Sequence, residues 1–216
     1  MKLIIGNKNY SSWSLRPWLL LRMHELPFEE IRITLFEQNT YKELAKYTNA
    51  AKVPVLHDSE LIVWDSLAIC EYISETYLGG LGWPLEMQAR AQARSVSCEM
   101  HSGFFAIREN MPMNVRALGR VIEISADMQN EISRIDQIWS DTIANYSHQG
   151  PWLFGEFSIA DCMFAPMVFR FSTYNIVVSE VSRAYMQNVL SNPHLKMWQE
   201  QSQAETESLI QSEVGE

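Results

Sequence analysis

Two serines just before a predicted helix are the first residues of this chain that could do chemistry. Ser11 and Ser12 lie in a polar loop that follows an apolar strand segment, Lys2–Gly6. Pro17 is tolerated only in the first turn of a helix, which predicts a helix start near Ser14, with Ser14 as a plain N-cap. Free N–H groups and the dipole at a helix N-terminus favour an anion. A hydroxyl there could donate to a thiolate, although both serines could also be ordinary polar loop residues.

A second segment, Lys52-Val53-Pro54-Val55, places a proline at the opening of a predicted strand. A trans proline can sit at the edge of a sheet. A cis proline would instead turn the N–H and C=O groups of Val53 outward, free to pair with an extended peptide. Because only about 5–6% of X–Pro bonds are cis, the segment taken alone favours the trans form.

Asp65 and Ser66 stand where the predicted strand Leu61–Trp64 runs directly into a helix. Both residue types are good helix caps, and capping alone would explain them. The Ser66 hydroxyl and the exposed N–H groups could also bind a carboxylate, while Asp65 could bind an ammonium group. Together they could hold the zwitterionic end of an amino acid.

The elements that must position these three segments follow from the hydrophobic pattern of the first 78 residues. Strand and helix signals alternate there in the order βαβ-α-ββα. A strand–helix–strand unit pairs its strands in parallel, and the closing hairpin is antiparallel, so we predict a mixed four-stranded sheet with helices on its faces. The strands are expected within 2–6, 28–35, 53–56 and 61–64, and the helices at about 14–25, 39–47 and 65–77.

The second part of the chain has an almost wholly helical pattern. Two apolar stripes with helical spacing predict long helices of an all-α bundle, and Pro112 is expected to end or kink the first. The stripes are Ala89, Ala93, Val96, Met100, Gly103 and Ile107, then Val121, Ile124, Met128, Ile132, Ile135, Trp139 and Ile143. The glycine-rich stretch Leu78–Pro84 separates the two parts. We expect a first domain at 1–78, a linker at 79–86 and a helical domain at 87–216.

The composition excludes several classes of protein. The 216 residues are 47% hydrophobic with a net charge of −9, too apolar for a disordered chain and too acidic for a phosphate backbone as main partner. No apolar run approaches the roughly 20 residues that span a bilayer, and the N-terminus lacks a secretory h-region. Cys70, Cys98 and Cys162 have no zinc-site spacing, so we expect free thiols, no metal, no membrane or nucleic-acid partner, and a cytoplasmic protein.

Taken together, these segments resemble the cytosolic glutathione transferases (GSTs) over the whole chain. Residues 11–16, Ser-Ser-Trp-Ser-Leu-Arg, are similar to the Ser-Ser-Cys-Ser-Trp-Arg loop of the zeta class. Val53-Pro54 is similar to the family's cis-proline turn, and Asp65-Ser66 to its Glu/Gln-Ser pair. The segment Leu153–Asp161 is similar to the family's Ser/Thr-x-Ala-Asp segment. The resemblance implies a bacterial, serine-type enzyme with a thioredoxin-like N-terminal domain, an all-helical C-terminal domain, glutathione as co-substrate and a homodimeric assembly.

For the site, the resemblance implies that a serine activates the thiol. Ser11 or Ser12 would stabilise the thiolate of glutathione, and the zeta spacing favours Ser11. The residues implied to bind glutathione are Lys52, Val53, Pro54, Asp65 and Ser66. Trp13 departs from the family pattern, because it stands where the zeta class has a cysteine. Without that cysteine the chain lacks the protein thiol that an omega-like thioltransferase would use. The same difference weakens the prediction of a maleylacetoacetate isomerase.

The family's second-substrate pocket lies between the domains, partly on the first long helix of the bundle. His101, Phe105 and Arg108 are expected to share one face of that helix, which could also be an ordinary solvated face. Arg108 or Arg116 could bind an acidic electrophile.

We therefore predict a glutathione S-transferase that activates the thiol of glutathione for attack on a small electrophile. The alternatives are a glutathione-dependent cis-trans isomerase and a non-enzymatic adaptor or ligand-binding protein on the same fold. Intact Ser11, Val53-Pro54 and Asp65-Ser66 favour an enzyme, since an adaptor need not keep them. Ser158 and Asp161 are predicted to form a capping box that specifies the fold rather than the chemistry.

Overall fold

The computed structural model describes residues 1–215, apart from the side chain of Ser147. Its first part alternates strands and helices, as the hydrophobic pattern predicts. The elements are β1 (Lys2–Ile5), α1 (Ser12–Met23), β2 (Glu29–Arg32), α2 (Thr40–Leu44), β3 (Val55–Asp58), β4 (Leu61–Trp64) and α3 (Ser66–Tyr77).

The strands form one mixed sheet in the order β2-β1-β3-β4. β1 pairs in parallel with β2, and antiparallel with β3, so that Ile4 lies opposite Val55. β3 and β4 form the antiparallel hairpin, with Val55 opposite Trp64. The predicted βαβ-α-ββα order and the mixed four-stranded sheet are therefore confirmed.

The second part of the described chain is helical, which confirms the predicted all-α fold class. The helices are α4 (Met87–Ser102), α5 (Phe105–Asn110), α6 (Ala126–Tyr146), α7 (Ile159–Thr173), α8 (Glu180–Ser191) and α9 (Pro193–Gln203), with 3-10 turns at Ser147–Gln149 and Ile210–Ser212. None of the helices among residues 1–215 is both long and apolar enough to cross a membrane.

The start of α1 differs from the prediction. The helix begins at Ser12, two residues early, so Pro17 lies inside it and Ser14 is its third residue rather than its N-cap. The Ser14 hydroxyl instead accepts a hydrogen bond from the N–H of Gly6, at 3.1 Å. This hydrogen bond joins Ser14 to the end of β1, eight positions earlier in the chain. The preference of proline for the first turn of a helix does not predict such a contact.

The first long helix of the bundle is also shorter than predicted. α4 ends at Ser102, where Gly103 adopts an extended backbone and Phe104 a left-handed one, with φ of 61°. The helical spacing from Ala89 to Ile107 therefore belongs to two helices. The second stripe begins too early as well, because α6 starts at Ala126 and Val121 is exposed. Within the helices that form, periodicity marked most of the buried positions, but it did not mark where the helices begin and end.

The main core joins the two halves of the molecule. α1 packs on α3 and on α7, and α7 is buried along nearly its whole length. Trp18 of α1 and Phe164 of α7 are both fully buried. The loop before α1 consequently lies where the sheet domain meets the helices.

The predicted capping box at the start of α7 is confirmed. Asp161 is buried and accepts hydrogen bonds from the Ser158 N–H at 2.9 Å and the Ser158 hydroxyl at 3.2 Å. Its second oxygen accepts from the Leu153 N–H at 3.1 Å and the Tyr185 hydroxyl at 3.2 Å. The carboxylate therefore joins three segments of the helical domain.

Candidate active site

The sheet register brings the three candidate segments to one edge. Ile4 opposes Val55, and Val55 opposes Trp64, in antiparallel pairs. The carboxyl ends of β1 and β4 therefore flank the amino end of β3. The serine loop after β1, the Val53-Pro54 turn before β3 and the Asp65-Ser66 pair after β4 meet there.

Ser11 occupies the N-cap position of α1 and is 6% exposed. Its hydroxyl oxygen lies 2.7 Å from that of Ser14, and its N–H donates to the carbonyl of Asn7 at 2.8 Å. No backbone N–H of the helix donates to the Ser11 side chain among the described residues. The hydroxyl is therefore not used to cap the helix. It lies at the helix N-terminus, where the free N–H groups favour an anion.

Ser12 faces the helical domain. Its hydroxyl accepts a hydrogen bond from the guanidinium of Arg170 in α7, at 3.4 Å. Arg170 also donates to the carbonyl of Met111 and is buried. Of the two adjacent serines, Ser12 thus contacts a cation and Ser11 contacts a second hydroxyl.

The Val53–Pro54 peptide bond is cis, so of the two alternatives left open by the sequence, the less frequent one is present. Pro54 is buried, Val53 is half-buried and Lys52 is exposed. Within residues 1–215, the backbone N–H and C=O of Val53 have no hydrogen-bond partner. Both groups are available to an extended peptide, as the sequence predicts for a cis bond.

Asp65 and Ser66 both act at the start of α3. Asp65 has a positive φ of 75° and accepts from the N–H groups of Leu67 at 2.9 Å and Ala68 at 3.2 Å, so its capping role is confirmed. Ser66 is buried, and its hydroxyl accepts from the Arg16 guanidinium at 3.2 Å. The proton of that hydroxyl remains available for a carboxylate.

Trp13 is surrounded by basic side chains. The guanidinium of Arg16 lies 4.3 Å from the centre of its ring and that of Arg108 lies 4.9 Å away, both in cation–π contact. His101 meets the same ring edge-on, at 5.3 Å between ring centres. The residue that replaces the zeta-class cysteine therefore holds three basic groups next to the serine loop.

The charges near Trp13 repel one another. Burial, followed by the neighbouring Arg108 guanidinium, lowers the pKa of Arg16 to about 9. The same two causes lower the pKa of Arg170 to about 9. Both groups remain positive at neutral pH, and the net positive charge at this place favours an anion.

The structure separates the residues predicted for the second-substrate pocket. His101 and Arg108 meet at Trp13, but they belong to different helices, so the predicted shared helical face is wrong. Phe105 begins α5 and is 69% exposed. Arg108 also donates to the carbonyl of Gly103 at 2.8 Å, across the break between the two helices.

Arg116 and Tyr10 are engaged by the C-terminal segment. The Arg116 guanidinium donates to the carbonyls of Glu205 and Glu207 and to the Tyr10 hydroxyl, at 2.9 Å for the last. Tyr10 in turn donates to Glu213 at 2.6 Å. Arg116 is therefore not free for a substrate, and the phenol of Tyr10 is not free for a thiol.

Arg170 is the site residue that sequence reasoning missed. It is buried within α7, whose segment contains otherwise only Asp161 as a charged residue. A charge inside an apolar helix is rarely buried without a partner or a function. That signal was present in the sequence, and only the packing of α7 on α1 shows that it points to Ser12.

A thioredoxin-like sheet domain joined to a helical bundle, with a serine at the start of its first helix, defines the class of this protein. The chain belongs to the glutathione S-transferase family. Residues 10–76 match the family's N-terminal domain and residues 116–198 match its C-terminal domain. Its activity class is accordingly glutathione transferase, as the sequence predicts.

Individual relatives agree with this assignment. The chain is 24% identical over 173 residues to a "Probable maleylacetoacetate isomerase" of Caenorhabditis elegans, which covers 78% of each chain. A glutathione transferase homologue from Burkholderia with bound glutathione has a TM-score of 0.72 at 20% identity, covering 94% of this chain and 98% of the other. A maleyl pyruvate isomerase, described as a bacterial zeta-class glutathione S-transferase, has a TM-score of 0.72 at 19% identity, covering 97% and 100%. The two structures share the fold of this chain.

Proposed function

We propose that Ser11 activates the thiol of glutathione for attack on a small electrophile. The observation that carries this proposal is the Ser11 hydroxyl at the N-terminus of α1, bonded to another serine and to no charged group. A hydroxyl that donates to sulfur stabilises the thiolate over the thiol. The thiol proton passes to water, the sulfur forms a bond to the electrophile, and a leaving group departs with the bonding electrons.

The same edge of the sheet supplies groups for the rest of glutathione. The free N–H and C=O of Val53 would pair with the peptide backbone around its cysteine. The Ser66 hydroxyl, supported by Arg16, would bind the γ-glutamyl carboxylate, and Asp65 the adjacent ammonium group. Lys52 and Pro54 are the remaining residues proposed to bind glutathione. The exposed positive charge of Lys52 would bind the carboxylate at the C-terminus of glutathione.

The electrophile is proposed to be acidic. Arg108 and Arg170 stand on the helical side of the serine loop, and neither forms a salt bridge among the described residues. Burial lowers the pKa of both, and for Arg108 the Glu131 carboxylate acts in the opposite direction. His101 and the exposed Phe105 extend this side of the site. An electrophile with a carboxylate would offset the repulsion between the guanidiniums, whereas a neutral one would not.

A glutathione-dependent cis-trans isomerase is the second candidate. The Caenorhabditis elegans relative and the zeta-class structure are both named as isomerases of maleyl compounds, which are acidic. The cationic surroundings of Trp13 suit such a substrate equally well. The two candidates differ in whether glutathione is consumed.

Paired substrates test these proposals. The protein should be retained on immobilised glutathione and should convert a chloronitrobenzoate faster than the matching chloronitrobenzene, which lacks the carboxylate. Isomerisation of a maleyl keto acid without loss of free thiol would favour the second candidate. If the protein is not retained on immobilised glutathione and converts none of these substrates, the result would favour the non-enzymatic adaptor or ligand-binding protein.

We further propose a homodimer, in which the N-terminal domain of each subunit contacts the helical domain of the other. Exposed apolar side chains on both parts support it: Leu61, Ile62 and Trp64 on the edge strand β4, Leu85 just before α4, and Met87 as the first residue of α4. Light scattering at micromolar concentration should give twice the mass of the chain. A 25.0 kDa species would contradict it.

The domain division and the location of the protein are part of the same proposal. We place the domain boundary in the stretch 79–86, between the end of α3 and the start of α4. We place the protein in the cytoplasm, where the three free cysteines would stay reduced. Metal plays no part in the proposed reaction.

A further inference from the structure

We propose that Ser14 is a positioning residue, which directs the proton of the Ser11 hydroxyl outward to the thiol. The inference rests on the proposed role of Ser11. Ser14 is fully buried, and its hydroxyl oxygen lies 2.7 Å from that of Ser11 and 3.1 Å from the backbone nitrogen of Gly6. The three groups form one hydrogen-bonded chain from the end of β1 to the N-terminus of α1.

The direction of this chain follows from the donors and acceptors present. The Gly6 N–H can only donate, so the Ser14 oxygen is an acceptor in that bond. Ser14 still has one proton to donate, and within the described residues the Ser11 oxygen, 2.7 Å away, is the partner that could accept it. If Ser11 donated to Ser14 instead, the Ser14 proton would be buried without a partner, which is unfavourable. The favoured arrangement leaves the Ser11 proton free for the sulfur.

Close packing holds the members of the chain in place. A Cβ atom on Gly6 would lie 3.1 Å from the Cβ of Ser11 and 2.4 Å from a terminal carbon of Leu35. Gly6 therefore permits the close approach of the serine loop to the end of β1. A hydroxyl that already receives a hydrogen bond from Ser14 has fewer orientations open to its own proton, and the outward one is favoured.

The test measures the pKa of the thiol in bound glutathione, from the ultraviolet absorbance of the thiolate during a pH titration. Ser14→Ala should raise this pKa by about half a unit to one unit, and lower turnover about three- to tenfold near pH 6.5. Affinity for glutathione should change little, since other residues bind the rest of the peptide. Ser11→Ala should raise the same pKa further.

A pair of variants of equal shape separates the hydroxyl from packing. Ser14→Thr and Ser14→Val differ by a hydroxyl against a methyl group, so both crowd the site equally. The thiol pKa should stay near that of the parent protein in Ser14→Thr and rise in Ser14→Val. This comparison keeps the test decisive if removal of the side chain in Ser14→Ala impairs folding.

Ser74 offers a matched control. It is buried, and its hydroxyl accepts from the backbone nitrogen of Gly82, eight residues away, at 3.1 Å, as Ser14 does from Gly6. It lies in α3, and its hydroxyl makes no bond to Ser11 among the described residues. Ser74→Ala should lower the melting temperature without moving the thiol pKa.

The outcomes distinguish the inference from the function on which it rests. A raised thiol pKa in Ser11→Ala with no change in Ser14→Ala or Ser14→Val would overturn the role of Ser14 and leave that of Ser11. An unchanged thiol pKa in Ser11→Ala would overturn both roles, as would a parent protein that does not bind glutathione. Equal shifts in Ser14→Val and Ser14→Thr would show a packing effect and would also overturn the inference.

Discussion

Asp65 and His101 lie 3.1 Å apart, from the carboxylate of the first to Nε2 of the second. Asp65 is the N-cap of α3 in the sheet domain, and His101 is in the last turn of α4 in the helical domain. Burial lowers the pKa of His101, although the Asp65 carboxylate acts in the opposite direction. At neutral pH a neutral imidazole therefore donates to the carboxylate, and the two domains meet at the candidate glutathione site.

Asp65→Asn should weaken glutathione binding without removing the cap of α3. Asparagine retains an oxygen for the N–H groups of Leu67 and Ala68 but loses the charge that would face an ammonium group. A charge-assisted hydrogen bond contributes about 1.5–3 kcal/mol, so KM for glutathione should rise about tenfold or more, with little change in kcat. Asp127→Asn, an exposed acid-to-amide change in the first turn of α6, is the control. A fall in kcat at constant KM would contradict this role.

Ser11→Ala should produce a pH-dependent loss of turnover. Free thiols of this type have a pKa of about 8.5, and one hydrogen bond to the thiolate lowers it by about one to two units. Removing the hydroxyl should lower turnover at least about tenfold near pH 6.5 and less near pH 9. The measurement is the pH–rate profile beside that of Ser12→Ala. If only Ser12→Ala shifts the profile, the role belongs to Ser12.

Tyr10→Phe should leave turnover and its pH profile unchanged. The phenol donates to Glu213 and accepts from Arg116, so it is held by the C-terminal segment and not by the site. The change should cost about 1 kcal/mol of stability, measured by thermal or denaturant unfolding. A tenfold fall in turnover with unchanged stability would instead favour a tyrosine mechanism.

Asp161→Ala should destabilise the protein without changing its chemistry. The variant leaves four donors unpaired: the N–H groups of Leu153 and Ser158 and the hydroxyls of Ser158 and Tyr185. Unpaired buried donors cost about 1–3 kcal/mol each before relaxation, so we expect a loss of about 2–4 kcal/mol in unfolding free energy. Turnover per folded molecule should be normal. A variant of unchanged stability would contradict the capping role.

Asp161→Asn tests the pH dependence of the same group. Burial raises the pKa of Asp161 to about 6 from its ordinary 3.8, against the hydrogen bonds that lower it. The folded protein therefore binds a proton that the unfolded chain releases, and this contribution to stability falls as the pH rises from about 4 to 6, by up to about 3 kcal/mol. The stability gap between the parent protein and Asp161→Asn, which does not titrate, should shrink over that range and stay constant above it. A widening gap would show that the pKa is lowered instead.

Sequence alone is sufficient to predict the elements and residue roles that depend on near neighbours. The strand and helix order, the caps at Asp65 and Ser158, and the reciprocal contact of Asp161 connect residues within about four positions of one another. Backbone geometry sets such contacts, so the residue types suffice to predict them. The resemblance of residues 11–16 and 53–54 to family motifs is enough to predict where the candidate site lies.

Long-range packing sets which distant groups meet at the candidate site. Arg170 reaches Ser12 across 158 positions of sequence because α7 packs on α1, and Arg116 is occupied because the C-terminal segment lies beside Tyr10. The break between α4 and α5 placed His101 and Phe105 on different helices. Long-range packing of this kind depends on how whole helices bury their faces against each other, and a periodic pattern shows only that a face is buried.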